Sequence, residues 1–188
     1  MTEFPKMFTV PPFEMRVVPS SFENAKMIYD IFAGDNAIQR FWMGGTMYPS
    51  AEALFGNYAR NGARTDMRMY GIYRDGQLLG EIGFANGTSP QNRRGHIGCW
   101  VRDSARGNGI MSTLMPEIMR VGFETMGYNV LVIQCDSENR ASRRIAEKFG
   151  FHLDGILRSE MIWGDGTFRD ECRYSKLKSE WEKDKNNA

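Results

Sequence analysis

The chain has 188 residues, with 24 Lys and Arg against 23 Asp and Glu and a formal net charge of +1. That near balance leaves no global field to recruit nucleic acid or an anionic membrane, so any partner must be found by a local site. At 41% hydrophobic and 25% charged residues, the composition is that of an ordinary globular domain. The length suits one domain over 1–188 with a substantial core.

The opening MTEFPKMF has neither a basic n-region nor an apolar h-region, and no apolar run reaches the roughly 18 residues of a membrane span. Cys99, Cys135 and Cys172 lack metal-ligand spacing. An odd thiol count without a secretory leader points to a reducing, cytoplasmic setting and to no metal site.

Residues 1–13, with Pro5, Pro11 and Pro12, read as an extended lead-in. Met15 to Val18 reads as a first strand, and Phe22, Ala25, Met27, Ile28, Ile31 and Phe32 recur at helical spacing. Asn36 to Gly45 carries the aromatic pair Phe41-Trp42 before a glycine break, and Ser50 caps a second helix over Ala51 to Asn61. Met67 to Arg74 and Gln77 to Ala85 are strands joined at Asp75-Gly76, a two-residue hairpin signal. After the polar loop Asn86 to Arg94, His96 to Arg102 forms a strand.

Ile110, Leu114, Ile118 and Val121 then make one apolar stripe, so a helix runs to about Met126 with Pro116 inside it. Proline there costs up to about 3 kcal/mol or forces a kink. Asn129 to Cys135 is an apolar run suited to a sheet interior, followed by a short helix over Ala141 to Phe149. Ile156 to Trp163 and Thr167 to Leu177 pair across Gly164-Asp165-Gly166, and the charged segment 178–188 reads as a frayed tail. Because a helix links the strands at 96–102 and 129–135, those two should be parallel with a right-handed crossover.

Between strand and helix lies Arg106-Gly107-Asn108-Gly109-Ile110-Met111. Two glycines let successive amides turn to one point, and the helix adds its unpaired first-turn donors and positive dipole end. Such a loop suits a phosphate or pyrophosphate. Gly107-x-Gly109-x-x-Ser112 also grazes the dinucleotide fingerprint. Ser112 stands where its third glycine should be, and Asp136, the candidate ribose acid, lies 29 residues past Gly107 against about 20 expected.

A second segment, Leu131 to Phe151, reads LVIQCDSENRASRRIAEKFGF. Together the two segments resemble the Gcn5-related N-acetyltransferase (GNAT) superfamily, and within it the branch that modifies serine or alanine termini of ribosomal proteins. The family's Gln/Arg-x-x-Gly-x-Gly/Ala signature matches Arg106 and Gly109 and departs at Met111. Its Asn-x-x-Ser/Ala followed by Gly-Phe matches Asn139, Ser142, Gly150 and Phe151. The resemblance runs from about Met15 to Trp181.

That resemblance implies a mixed α/β acyl-CoA N-acyltransferase fold, ordered β-α-α-β-β-β-α-β-α-β-β, with splayed central parallel strands. It further implies acetyl-CoA as cofactor and a primary amine as acceptor, either a protein N-terminus or a small molecule, with a monomer or homodimer as the working form. Trp100 and Val101 would bond the pantothenoyl arm, the loop Arg106, Gly107, Asn108, Gly109, Ile110 and Met111 would hold the pyrophosphate, and Asn139 would orient the arm. The tyrosine that many members use as general acid is replaced by Ala146. Ser142 is then the proton donor, with Glu160 and His96 as candidate bases. The missing tyrosine and Met111 leave a catalytically silent acyl-CoA-binding module as the second reading, and a dinucleotide-binding enzyme as the third.

Overall fold

A computed structural model of the chain describes residues 3–42, 46–62, 64–85, 87–163 and 166–186. Eight strands form one sheet in the order β1-β2-β3-β4-β5-β6-β8-β7. They are β1 Met7–Val10, β2 Phe13–Arg16, β3 Arg68–Arg74, β4 Gln77–Phe84, β5 Arg94–Val101, β6 Val130–Asp136, β7 His152–Ile162 and β8 Phe168–Leu177. The helices are α1 Phe22–Ala33, α2 Asn36–Phe41, α3 Ala51–Gly62, α4 Ile110–Arg120, α5 Arg140–Lys148 and α6 Lys178–Asn186. Among the described residues β5 and β6 pair in parallel and the other neighbouring strands pair antiparallel.

Alternation along the strands sorts side chains onto two faces. One core gathers Ile72, Ile82, Phe84, Ile97, Ile133 and Cys135 with α4 residues such as Leu114 and Ile118. The other gathers Val18, Tyr73, Leu78 and Trp100 with Ile28 and Phe32 of α1, Ile38 of α2 and Leu54 of α3. The sheet is thus a wall with α4 and α5 on one side and α1 to α3 on the other.

Local chemistry explains several element ends. Ser21 caps α1 by accepting from the Asn24 amide, and Asp35 caps α2 by accepting from the amides of Ala37 and Ile38. Asp75 and Gly76 both have positive φ, as a two-residue hairpin loop between β3 and β4 requires. The helix continues past the exposed Pro116 to Arg120, and a wider turn follows over Val121–Thr125 with the Met126 amide bonded to the Val121 carbonyl at 2.8 Å.

Four readings of the sequence need correction. The lead-in 1–13 carries strand β1, and the following strand is Phe13–Arg16 rather than Met15–Val18. Pro11 and Pro12 fall between the strands, where no ladder amide is needed. Residues 36–41 form helix α2, which its Asp35 cap stabilises. Strand β7 begins at His152, four residues before Ile156; of its turn residues, Gly164 and Asp165 lie outside the described set. The tail is not frayed over 178–186: it forms α6, anchored by the buried Trp181, whose ring stacks 5.2 Å from Phe123. One apolar anchor in a charged run is easily overlooked in the sequence. Among the described residues no helix is long and apolar enough to cross a membrane.

Candidate active site

The last parallel pair between β5 and β6 is Ile97 with Ile133, although β5 continues to Val101 and β6 to Asp136. Both strands stay bonded on their outer sides, β5 to β4 as far as Val101 and β6 to β8 as far as Asp136. They therefore diverge into a wedge. The Arg102 amide donates to Leu79 and the His96 carbonyl accepts from Ala85, so even-numbered residues of β5 turn their polar groups to β4. Cys99 and Val101 turn theirs into the wedge. On β6 the amide of Ser137 faces β8 and that of Val130 faces β5, which leaves the Gln134 carbonyl and the Asp136 amide at the wedge. Backbone groups on an open inner edge call for a partner, and an extended chain carrying amides fits them.

That alternation corrects one expectation. The Trp100 main chain belongs to the ladder with β4, opposite Glu81. Its side chain is a wall: it packs edge-on against Phe32 at 5.0 Å and donates from Nε1 to Glu81 Oε2 at 2.8 Å. Val101 turns its main chain to the wedge, with its carbonyl already accepting from Arg106 Nε at 3.0 Å.

Above the wedge, Gly107 and Gly109 adopt φ of +76° and +72°, and a Cβ built on either would meet nothing within 4 Å. Both glycines are needed for the turn, not for packing. The Arg106 amide is taken by the Asp103 carbonyl at 3.1 Å, so the free cradle begins one residue later than the motif suggests. The amides of Gly107 to Met111 have no acceptor among the described residues, and those of Ile110 and Met111 open helix α4. Met111 lies half-buried against the core. Asn108 folds back onto the Ala105 and Arg106 carbonyls, at 3.3 and 3.2 Å. A diphosphate fits these amides, and the arm of coenzyme A fits the wedge that continues from them.

On the α1 to α3 side the wedge opens onto a cavity of about 630 Å³. Its floor is built from alternate residues of four strands: Glu81 of β4, His96 and Gly98 of β5, Gln134 of β6 and Glu171 of β8. Phe32, Phe41, Trp42 and Tyr58 wall it, and Cys135 reaches it at the wedge. Glu81, 4% exposed, accepts on Oε2 from both Tyr58 and Trp100 at 2.8 Å. Burial raises its pKa against the lowering effect of those bonds. Glu171, 7% exposed, accepts from Gln134 Nε2. Burial raises this carboxyl too, and the negative charge of Glu160 adds to the effect. Sequence reasoning found neither acid, because each reads there as an ordinary charged strand residue.

The residues expected to do chemistry fall into two places. Ser142 sits in the first turn of α5, its amide bonded to the capping Asn139 Oδ1 at 3.1 Å, with its hydroxyl against the Cys135 sulfur. The Asn139 carboxamide oxygen therefore serves the helix cap. Burial holds the Cys135 thiol up at about 12, which leaves it protonated and poorly nucleophilic. His96 is half-buried in the cavity floor, close to Gly87. Glu160 is exposed on the edge strand, inside a bulge between Leu157 and Met161, and is not among the cavity's lining residues. Its negative charge acts on Glu171.

The divergent parallel pair, the amide cradle above it and the acid-floored cavity behind it are thus set in one sheet. The chain belongs to the acetyltransferase (GNAT) domain family, whose model matches residues 15–152. It is 32% identical over 115 residues to a Bacillus subtilis protein provisionally named ribosomal N-acetyltransferase YdaF, covering 61% of this chain and 62% of that one. It is 30% identical over 110 residues to the ribosomal-protein-serine acetyltransferase of Escherichia coli, covering 58% and 60%. The matches thus span about three-fifths of these curated relatives. The ribosomal L7/L12 acetyltransferase RimL, solved with coenzyme A, superposes with a TM-score of 0.74 at 23% identity over 91% of this chain and 97% of that one, which establishes the shared fold.

Proposed function

We propose that this chain transfers an acetyl group from acetyl-CoA to a primary amine held in the cavity between the sheet and helices α1 to α3. The opening of the wedge onto that cavity, at Gly98, Gln134 and Cys135, carries the reading. The amides of Gly107 to Met111 and the inner edges of Cys99, Val101, Gln134 and Asp136 hold the cofactor. When bound there it supplies an activated thioester.

The chain's own groups are divided by the sheet. On the cavity side, two buried acids favour a cationic amine over a neutral guest. Glu171 lies next to Gln134 at the wedge and takes the amine's proton at Oε2, Oε1 being held by Gln134. A raised carboxyl is a better base near neutrality than an ordinary one. An α-amine with a pKa of about 8 is neutral roughly one time in ten at pH 7, so little basicity is required. On the other side, the Ser142 hydroxyl stands beside Cys135 as the proton donor for the departing sulfur. His96 lines the floor and steadies the amine. Glu160 acts at a distance, by raising Glu171.

The names of the curated relatives favour a protein N-terminus as acceptor, and a small-molecule amine is the other possibility. Thiol release from acetyl-CoA, followed over a panel of amines and of peptides beginning in Ser or Ala, tests the reading. Acceptor-dependent release is expected. Cofactor binding without release would leave a silent acyl-CoA-binding module.

A further inference from the structure

We propose that α2 is a strap tied at its two ends to the two diverging strands, and that Asp35 and Arg169 are positioning residues that couple the cofactor wedge to the acceptor cavity. The inference rests on the functional reading above.

At its N-terminal end α2 is held by Asp35, which is 5% exposed. Its Oδ1 accepts from the amides of Ala37 and Ile38, both at 3.1 Å, while Oδ2 accepts from the Arg106 guanidinium. Burial raises this carboxyl, but the Arg106 bond and the two amides outweigh it and hold the pKa below the ordinary value. The same guanidinium donates through Nε to the Val101 carbonyl at 3.0 Å. One end of the helix is therefore fixed to the last residue of β5.

At its C-terminal end the helix carbonyls are caught from the other side of the wedge. Arg169 donates to the Arg40 carbonyl at 2.8 Å and to Asp136 Oδ2 at 3.2 Å, and Asp136 is the last residue of β6. Trp163 Nε1 donates to the Gln39 carbonyl at 3.1 Å. The Arg40 side chain pairs with Glu138 in the loop after β6. Neither Asp35 nor Arg169 lines the cavity.

The length of α2 suits a strap. Six helical residues span roughly 9 Å, about twice the 4.8 Å separation of neighbouring strands. That is the opening left when one extended chain lies between β5 and β6. The C-terminal residues of the strap also reach the acceptor side. Phe41 and Trp42 line the cavity, and a Cβ added to Gly98 would stand 3.4 Å from the Trp42 ring. Gly98 is the first β5 residue past the last parallel pair. A chain filling the wedge therefore sets both anchors of α2 and, through them, the Trp42 wall.

The test uses Asp35→Asn, Arg169→Lys and the double variant. Asparagine keeps the helix cap but not the charge, and lysine keeps the charge but not the planar guanidinium that lies over the Trp163 ring and aims one Nη at both acceptors. For each single variant, the calorimetric Kd for coenzyme A and the KM for the amine should rise together by about tenfold, with kcat at saturation within about twofold. The double variant should be no more than about twofold worse than the poorer single one, because a strap cut at one end has nothing left to transmit. Constants within about twofold of wild type in both single variants overturn the proposal, as does a double variant whose losses multiply. Arg169→Lys alone carries the test if Asp35→Asn does not fold. Wild-type protein that fails to bind coenzyme A would defeat the functional reading, and the strap with it, before any variant is made.

Discussion

The two faces of the sheet are built by different rules. On the α4 and α5 face the chain presents main-chain groups: the amides of Gly107 to Met111 and the inner edges of two strands that part after Ile97 and Ile133. On the α1 to α3 face it presents side chains, with Glu81 and Glu171 brought to one cavity from positions 90 residues apart. A site made of backbone needs glycines and a strand-to-helix junction in one short run, so it leaves a motif. A site made of side chains needs only that distant residues share a strand face, and it leaves none.

The contrast can be broken first at Gly109. Gly109→Trp forces a side chain onto a backbone with φ of +72°, at a strain of about 1–2 kcal/mol, and sets an indole over the amide cradle. Coenzyme A binding should fall below calorimetric detection while the fold survives, since an added Cβ meets nothing within 4 Å. Next comes Glu171→Gln, which should cost about 100-fold in kcat and leave the Kd for coenzyme A unchanged. The sign with pH follows from the raised carboxyl. Wild-type kcat/KM should fall as pH drops through a value above the ordinary carboxylate range, and the variant should lose that limb of the profile.

Ser142→Ala sharpens the comparison on the opposite face, with an expected loss of about tenfold in turnover and little in cofactor affinity. Unchanged turnover would remove Ser142 from the mechanism. The smallest effect belongs to Glu81→Gln. Because burial raises this carboxyl, its stability contribution is full below the unfolded-state pKa and is lost as pH rises through the folded-state value. The variant keeps an acceptor for Tyr58 and Trp100, so its Tm should exceed wild type by ~2–4 °C at neutral pH. The difference should vanish below the ordinary carboxylate pKa.

What the sequence disclosed follows the same division. The parallel pair and its crossover helix, the hairpin at Asp75-Gly76 and the glycine loop all rest on local rules, and the structure places each as read. The resemblance gives Trp100 to the arm, whereas parity sends its main chain to β4, a matter of ladder register that no single strand reveals. Helix α2 went unread because six residues with one aspartate cap fall below the length at which periodicity speaks. Glu171 was hidden among the charges of FRDECRYSKL, and its burial depends on β6 lying beside it. Glu160 fits the resemblance as a candidate base, whereas the irregularity between Leu157 and Met161, with Ser159 at positive φ, leaves it exposed.

Residue-resolved hydrogen exchange with and without saturating coenzyme A tests the central claim most directly. The amides of Cys99, Val101 and Asp136, together with those of Gly107 to Met111, should become strongly protected when the cofactor is present, while the ladder amide of Trp100 changes little. Exchange at Cys99, Val101 and Asp136 that stays as fast with coenzyme A as without it would contradict the account, because the wedge would then be a feature of the fold that holds nothing.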